Sequence, residues 1–204
     1  MGLLMLNETA AFKLAVWKIE EQAGFFEDAI QYVPNAVHPG RRLQQLATRF
    51  LLKQLNQDFP FDAIIANEGG KPFLPAHDLQ FNLTHTTDLA GAILSNTTVV
   101  GIDAEKIDKR VLKIEHKFLN SEERQSLSKL TEIEKISRLT LYWTIKEAVY
   151  KWWGRGGIDF ANDILIEPSN LTLENTSVRF AQTGEVLNVS SFQLQQHWIT
   201  YMAK

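Results

Sequence analysis

The stretch TVVGIDAEKIDKRVLKIEHKFLNSEERQSLSKLTEIEKISRLTLYWTIKEAVYKWWG, residues 98–154, decides the fold class, because one periodicity gives way to another inside it. VVGIDAEKI reads as a strand that follows the Ser95-Asn96 turn. Asp103 and Glu105 then project from one face, and Ile102 and Ala104 from the other. From Val111 to Trp153 the pattern turns helical, with an interruption near Phe118 to Asn120 and with Gly154 as the stop. Asn120 followed by Glu123 has the form of a capping box opening the helix ERQSLSKL.

Both flanks of this stretch read as strands with one helix upstream. Phe12, Leu14 and Val16 alternate with Lys13 and Ala15, which predicts a first strand. After the Pro39-Gly40 break, Leu43, Leu46, Phe50, Leu51 and Leu55 recur at helical spacing between Arg41 and Asn56. Short apolar runs follow, FDAII, LQFNLTHT and LAGAILS, with the GGKPFLP turn among them. Downstream, VRFAQTGEVLNV carries a Thr183-Gly184 turn, and SFQLQQHWITYMA alternates at its start. Strand, helix, strands, helices, strands is the order of an α+β protein and not of alternating βαβ units. The turn at Asn96 to Thr98 is the expected lobe boundary, giving an N-terminal lobe at 1–97 and a C-terminal lobe at 98–204.

Composition narrows the chemistry. With 204 residues, 45% hydrophobic and 22% charged, the chain has the composition of a globular protein that buries a sizeable core. It has no cysteine, so disulfide frameworks and thiolate metal sites are excluded, which fits a reducing compartment. The opening MGLLMLNETAAFKLAVWKIEE has no basic residue ahead of its short apolar run, and Glu8 and Lys13 interrupt it. No signal peptide or membrane anchor is therefore expected, and the expected location is the cytoplasm. Net charge is -3 and the isoelectric point about 6.0, which argues against a nucleic-acid binder. Residues 101–151 nevertheless carry 11 basic and 9 acidic side chains against 7 and 10 in residues 1–100, so a local anion site fits the middle of the chain.

Asp103 and Glu105 are hard oxygen donors of the type magnesium takes, and a third partner would turn a solvated strand end into a metal site. Glu147 offers one. Trp143, Glu147 and Lys151 are spaced by four along a helix face, where an ordinary exposed Glu147–Lys151 ion pair is the plain alternative. Glu123 can equally be no more than a helix cap. His85 follows Phe81 and Leu83 on one strand face, as either a buried histidine or an anion ligand. Lys71 sits in the Gly-Gly-Lys-Pro turn, and Arg41 and Arg49 share roughly one helix face. Gly154-Arg155-Gly156-Gly157 has neither dinucleotide-binding nor Walker spacing, and no GxSxG or HExxH motif is present.

Taken together, GIDAE, FLNSEE and WTIKEAVYKWWGRGG, preceded by RRLQQLATR, GKPFLP and FNLTHT, resemble in order and spacing the signature segments of the 4'-phosphopantetheinyl transferases, in their larger two-lobed form. The resemblance spans about residues 41 to 157. It implies two similar α+β lobes related by a pseudo-twofold axis, with coenzyme A as co-substrate in the cleft between them. Transferred position by position, it makes Asp103, Glu105 and Glu147 ligands of Mg2+, Lys151 the contact to the diphosphate and Glu123 the base. Lys71, Thr84 and His85, with Arg41 and Arg49, would hold coenzyme A phosphates. Thr84 stands where the family more often has serine, and Asn120 replaces a common serine cap; both keep the chemistry. The implied reaction moves the phosphopantetheine arm of coenzyme A onto a serine of an apo acyl or peptidyl carrier protein, releasing adenosine 3',5'-bisphosphate. A monomer is expected, without nucleic-acid or membrane partners. A magnesium-dependent hydrolase of the coenzyme A diphosphate and a non-catalytic coenzyme A or carrier-binding module are the competing readings.

Overall fold

The computed structural model describes residues 2–32, 34, 36–67, 69–167 and 175–204. Its contacts divide the chain into two units, one of residues 1–102 with 203–204 and one of residues 103–202. The division falls inside a strand, a few residues past the Asn96 to Thr98 turn.

The first unit runs β1 (Leu3–Glu8), β2 (Lys13–Lys18), α1 (Ala23–Ile30), α2 (Pro39–Leu55), β3 (Ile65–Ala66), β4 (Pro72–Phe73), β5 (Gln80–His85) and β6 (Leu89–Ser95). Its main sheet has the order β1-β2-β6-β5, antiparallel throughout, with Lys13 opposite Leu94 and Thr84 opposite Gly91. The predicted helix is α2. It begins with Pro39, whose missing N–H is no loss in the first turn, and it buries Leu46, Phe50, Leu51 and Leu55 against the sheet.

Two elements of this unit escape periodicity. The run of four apolar residues in β1 has no alternation to mark it, and in the eight-residue α1 only Phe26 and Ile30, four apart, are buried. FDAII, expected as a strand, differs too. Pro60 opens a 3-10 turn over Phe61–Ala63, and only Ile65–Ala66 pair, with Pro72–Phe73.

The second unit continues β7 (Val100–Lys106) across the division, then has a 3-10 turn at Lys109–Lys113, α3 (Glu115–Phe118), α4 (Ser121–Ser126), α5 (Glu132–Trp153), β8 (Ile164–Ile166), β9 (Thr176–Phe180), β10 (Glu185–Leu194) and β11 (His197–Ala203). The sheet order is β7-β11-β10-β9-β8. The helical stretch expected between Val111 and Trp153 is thus broken at Leu119–Asn120, as anticipated, and again before Thr131. A second capping box, Thr131 with Glu134, opens α5, and Gly154 in the left-handed region (φ 68°) closes it. Leu139, Tyr142, Ile145 and Val149 of α5 pack with Val178, Leu187, Val189 and Trp198 of the sheet into a core separate from that of the first unit. The hairpin turn anticipated at Thr183-Gly184 joins β9 to β10, with Gly184 at φ 73°. No helix among the described residues is long and apolar enough to cross a membrane.

Candidate functional site

β7 carries Asp103 and Glu105, and α5 carries Glu147 and Lys151. On β7, Asp103 is buried at 4% exposure, and Glu105 is half-buried two residues on. Ile102 and Ala104 on either side of Asp103 are buried too, so burial runs unbroken from Val100 to Ala104 and only Glu105 and Lys106 depart from it. On α5, Glu147 and Lys151 lie one turn apart, but the ion pair between them that spacing suggests is not the principal one. Lys151 Nζ donates to Asp103 Oδ1 at 2.6 Å.

Electrostatics tie the other two carboxyls to this pair. Burial pushes Glu105 up to about 7; the Asp103 charge adds to that, while the Trp143 N–H, Lys151 and Arg110 oppose it. Glu147 also rises to about 7, through burial first, then Asp103 and Glu105, with Lys151 opposing. Three carboxyls therefore sense one another around one ammonium. Among the described residues, no three or more His, Asp or Glu side chains form a ready-made metal cage. The donor set still suits a hard divalent cation: it is all oxygen, and two members have their proton affinity raised by burial first and neighbouring negative charge second, which a cation would offset. A cavity of about 380 Å3 adjoins Glu105 and Trp143, with Arg110, Val111 and Ile114 in its wall.

Glu123 is the N3 residue of the α4 capping box and lies below the surface. Its side chain and that of Lys146 are 0% exposed, and Lys146 Nζ donates to Glu123 Oε2 at 2.8 Å. The same oxygen accepts from the Asn120 N–H at 3.0 Å, and Oε1 accepts from the Ile166 N–H at 2.9 Å. The reciprocal bond from the Glu123 N–H to Asn120 Oδ1 completes the capping box. Lys146 also donates to the Phe160 carbonyl at 2.8 Å, and burial holds its pKa below the usual lysine value against the pull of Glu123. One buried ion pair thus joins α4, α5, β8 and the loop before β8. The sequence reading passed over Lys146; a lysine in the middle of the apolar run LTLYWTIKEAVY was the signal for it.

In the first unit the expected phosphate ligands occupy different settings. Thr84 is buried, and its methyl fills the space that Gly91 leaves, where a Cβ would stand 2.8 Å from it. His85, at the end of β5, is exposed, which corrects the buried-histidine alternative: the strand's inward alternation ends before it. Lys71 is half-buried and lowered to about 8 by burial, with its turn fixed by Asn67, whose Oδ1 accepts the Lys71 N–H at 2.8 Å. Arg41 is exposed in the first turn of α2. Arg49 instead packs over the Tyr32 ring at 5.6 Å, and burial lowers its pKa.

The fold is that of an α+β protein in which a buried Asp103, paired with Lys151, raises the proton affinity of two half-buried carboxyls, Glu105 and Glu147. A profile of the 4'-phosphopantetheinyl transferase superfamily matches residues 99–202. Over 146 residues, 68% of this chain and 74% of the relative, it is 30% identical to the 4'-phosphopantetheinyl transferase AcpT of Escherichia coli K12. Over 113 residues, 54% of this chain, it is 34% identical to the 4'-phosphopantetheinyl transferase gsp of Aneurinibacillus migulanus, and this match spans 46% of that relative's length. The chain belongs to the 4'-phosphopantetheinyl transferase superfamily.

Proposed function

We propose that this protein transfers the 4'-phosphopantetheine arm of coenzyme A to a serine of an apo acyl or peptidyl carrier protein, with magnesium as the metal, and releases adenosine 3',5'-bisphosphate. The observation that carries the reading is the 2.6 Å pair of Lys151 with the buried Asp103, on the strand that also bears Glu105, with Glu147 one helical turn before Lys151, in a chain of this superfamily. In the reaction the carrier serine oxygen bonds to the β-phosphorus, the bond from that phosphorus to the bridging oxygen breaks with its electron pair leaving on adenosine 3',5'-bisphosphate, and the serine proton is released to water. Asp103, Glu105 and Glu147 would hold Mg2+, which when bound neutralises charge on the diphosphate. Lys151, once drawn from Asp103, places its ammonium against the leaving phosphate, where negative charge grows. Lys71, Thr84 and His85, with Arg41 and Arg49, would recognise the remaining phosphates of coenzyme A.

Glu123 acts in this reading as a positioning residue that anchors α5. A base must reach the proton it takes, and both oxygens of Glu123 are engaged below the surface. The same reading has the chain work as a monomer in the cytoplasm, as two similar lobes of the larger family type. Each unit carries a main sheet, of four strands in the first and five in the second, and one long helix, α2 or α5.

Incubation with coenzyme A, magnesium and a panel of apo carriers should add the mass of one phosphopantetheine to the carrier, and Asp103→Ala should abolish the gain. Cleavage of coenzyme A without any carrier would favour the hydrolase. Tight coenzyme A binding with no mass gain on any carrier would favour the binding module.

A further inference from the structure

Glu105 is oriented by a partner far away in the chain. Its Oε1 accepts from Trp143 Nε1 at 3.2 Å. The indole is itself held by two rings. The fully buried Phe118 meets it edge-on with centroids 5.2 Å apart, and Phe160 stacks on it at 5.4 Å with the planes inclined by 21°. Phe160 comes from the loop between α5 and β8, in a turn where the Asp159 carbonyl accepts from the Asn162 and Asp163 N–H groups at 3.2 and 2.7 Å. The Lys146 ammonium ties that turn to α5: fully buried and paired with Glu123, it donates to the Phe160 carbonyl at 2.8 Å. Tyr150 packs on the same ring, with centroids 5.4 Å apart.

We propose that Trp143 and Phe160 are positioning residues for Glu105. Lys146 fixes the Phe160 carbonyl, the Phe160 ring fixes the indole, and the indole N–H fixes the carboxylate. The chemistry behind this is general: a glutamate has three torsions, and a ligand free to rotate gives up affinity that a hydrogen bond from outside the metal site restores. The buried lysine fits the same account. Burying an ion pair adds little net stability compared with an apolar pair of the same volume, so its distinctive effect is to pin a carbonyl and a helix in one register. The inference rests on the reading of Glu105 as a metal ligand.

Trp143→Phe keeps a ring and removes the donor; Phe160→Leu keeps apolar volume and removes the stack; Phe160→Tyr keeps the stack. Two quantities are read on each folded variant: the Mn2+ dissociation constant by titration calorimetry in the presence of coenzyme A, and the Mg2+ concentration that half-saturates transfer. Trp143→Phe and Phe160→Leu should raise both by roughly 10- to 100-fold, the usual effect of losing such a partner, while kcat at saturating Mg2+ returns and Phe160→Tyr stays near the parent. A merely structural role would lower the active fraction without moving the Mg2+ requirement. If both variants stay within about twofold of the parent on this scale, the proposal is overturned. Should Trp143→Phe fail to fold, the Phe160 pair decides alone. Glu105→Gln separates the two layers. Unchanged Mn2+ affinity in that variant overturns the metal reading and this proposal together, whereas lost affinity there with normal Trp143→Phe overturns only the positioning.

Discussion

Lys146 carries an ammonium into a place without solvent, and Glu123, the Phe160 carbonyl and the helix around it accommodate the charge. Removing one partner of such a pair leaves a buried charge uncompensated, so Lys146→Met is expected to lose about 3 to 5 kcal/mol in urea unfolding. A loss under about 1 kcal/mol would show that water reaches Glu123, which would return it to consideration as a base. Glu105 and Glu147 make the opposite case, charges the fold resists. Both carboxyls sit at about 7 against an ordinary value of 4.5, so between those pH values the folded state binds more protons than the unfolded chain. Stability contributed by these two groups therefore falls as pH rises through that window. In metal-free buffer, the stability of a Glu105→Gln/Glu147→Gln variant relative to the parent should grow from about pH 5 to about pH 7.5. A pH-independent difference between the two proteins would count against the shifts. Asp103→Ala, which removes the carboxylate both of them feel, should lower kcat/KM by roughly 10²-fold or more if metal-assisted charge stabilisation is lost.

At the scale of elements, α5 depends on its ends. It is 22 residues long, and it keeps Trp143, Glu147 and Lys151 toward β7 only while its register against the sheet holds. Gly154 closes it with φ 68°, a conformation that strains a residue with a Cβ. Gly154→Ala is expected to lose about 1 to 2 kcal/mol by thermal melting, with Gly154→Asn milder because asparagine tolerates this region. Asn120 caps α4 through the Glu123 N–H, and Asn120→Ala should lose about 1 kcal/mol, while Asn120→Ser, which keeps a side-chain acceptor, should lose much less. An alanine variant as stable as the parent would show that the capping box adds nothing.

For the molecule as a whole, ligand linkage is the informative measurement. A ligand that binds only the folded state at a hundred times its dissociation constant adds about 2.7 kcal/mol. Coenzyme A with Mg2+ should therefore raise the melting temperature, and Asp103→Asn should diminish the rise. If that substitution leaves it unchanged, Asp103 takes no part in binding. The cationic excess of residues 101–151 belongs to this scale as well: an acidic carrier recognised by charge should show a KM that climbs with added salt.

Much of the protein was legible without coordinates, because local rules act on neighbouring residues. Period-two spacing, short apolar runs and helical spacing located β2, β5, β6, β7, α2 and the hairpin turn at Thr183-Gly184. Asn120 and Glu123 declared their cap, Gly154 its stop, and the ordered motifs the family. What local rules do not encode is which distant groups meet. Spacing paired Lys151 with Glu147, whereas the fold turns it onto Asp103. The motif left Glu123 as candidate base or cap, and only the packing of α4, α5 and β8 shows both its oxygens hydrogen-bonded. Phe160 had no signal in its own neighbourhood, since its importance comes from a ring and a carbonyl used by residues 14 and 17 positions back. The sequence by itself determined the element types, their caps and the donor chemistry, all of which follow from contacts a few residues long. The tertiary structure alone decided partners, burial and proton affinity, because these depend on what surrounds a charge in space.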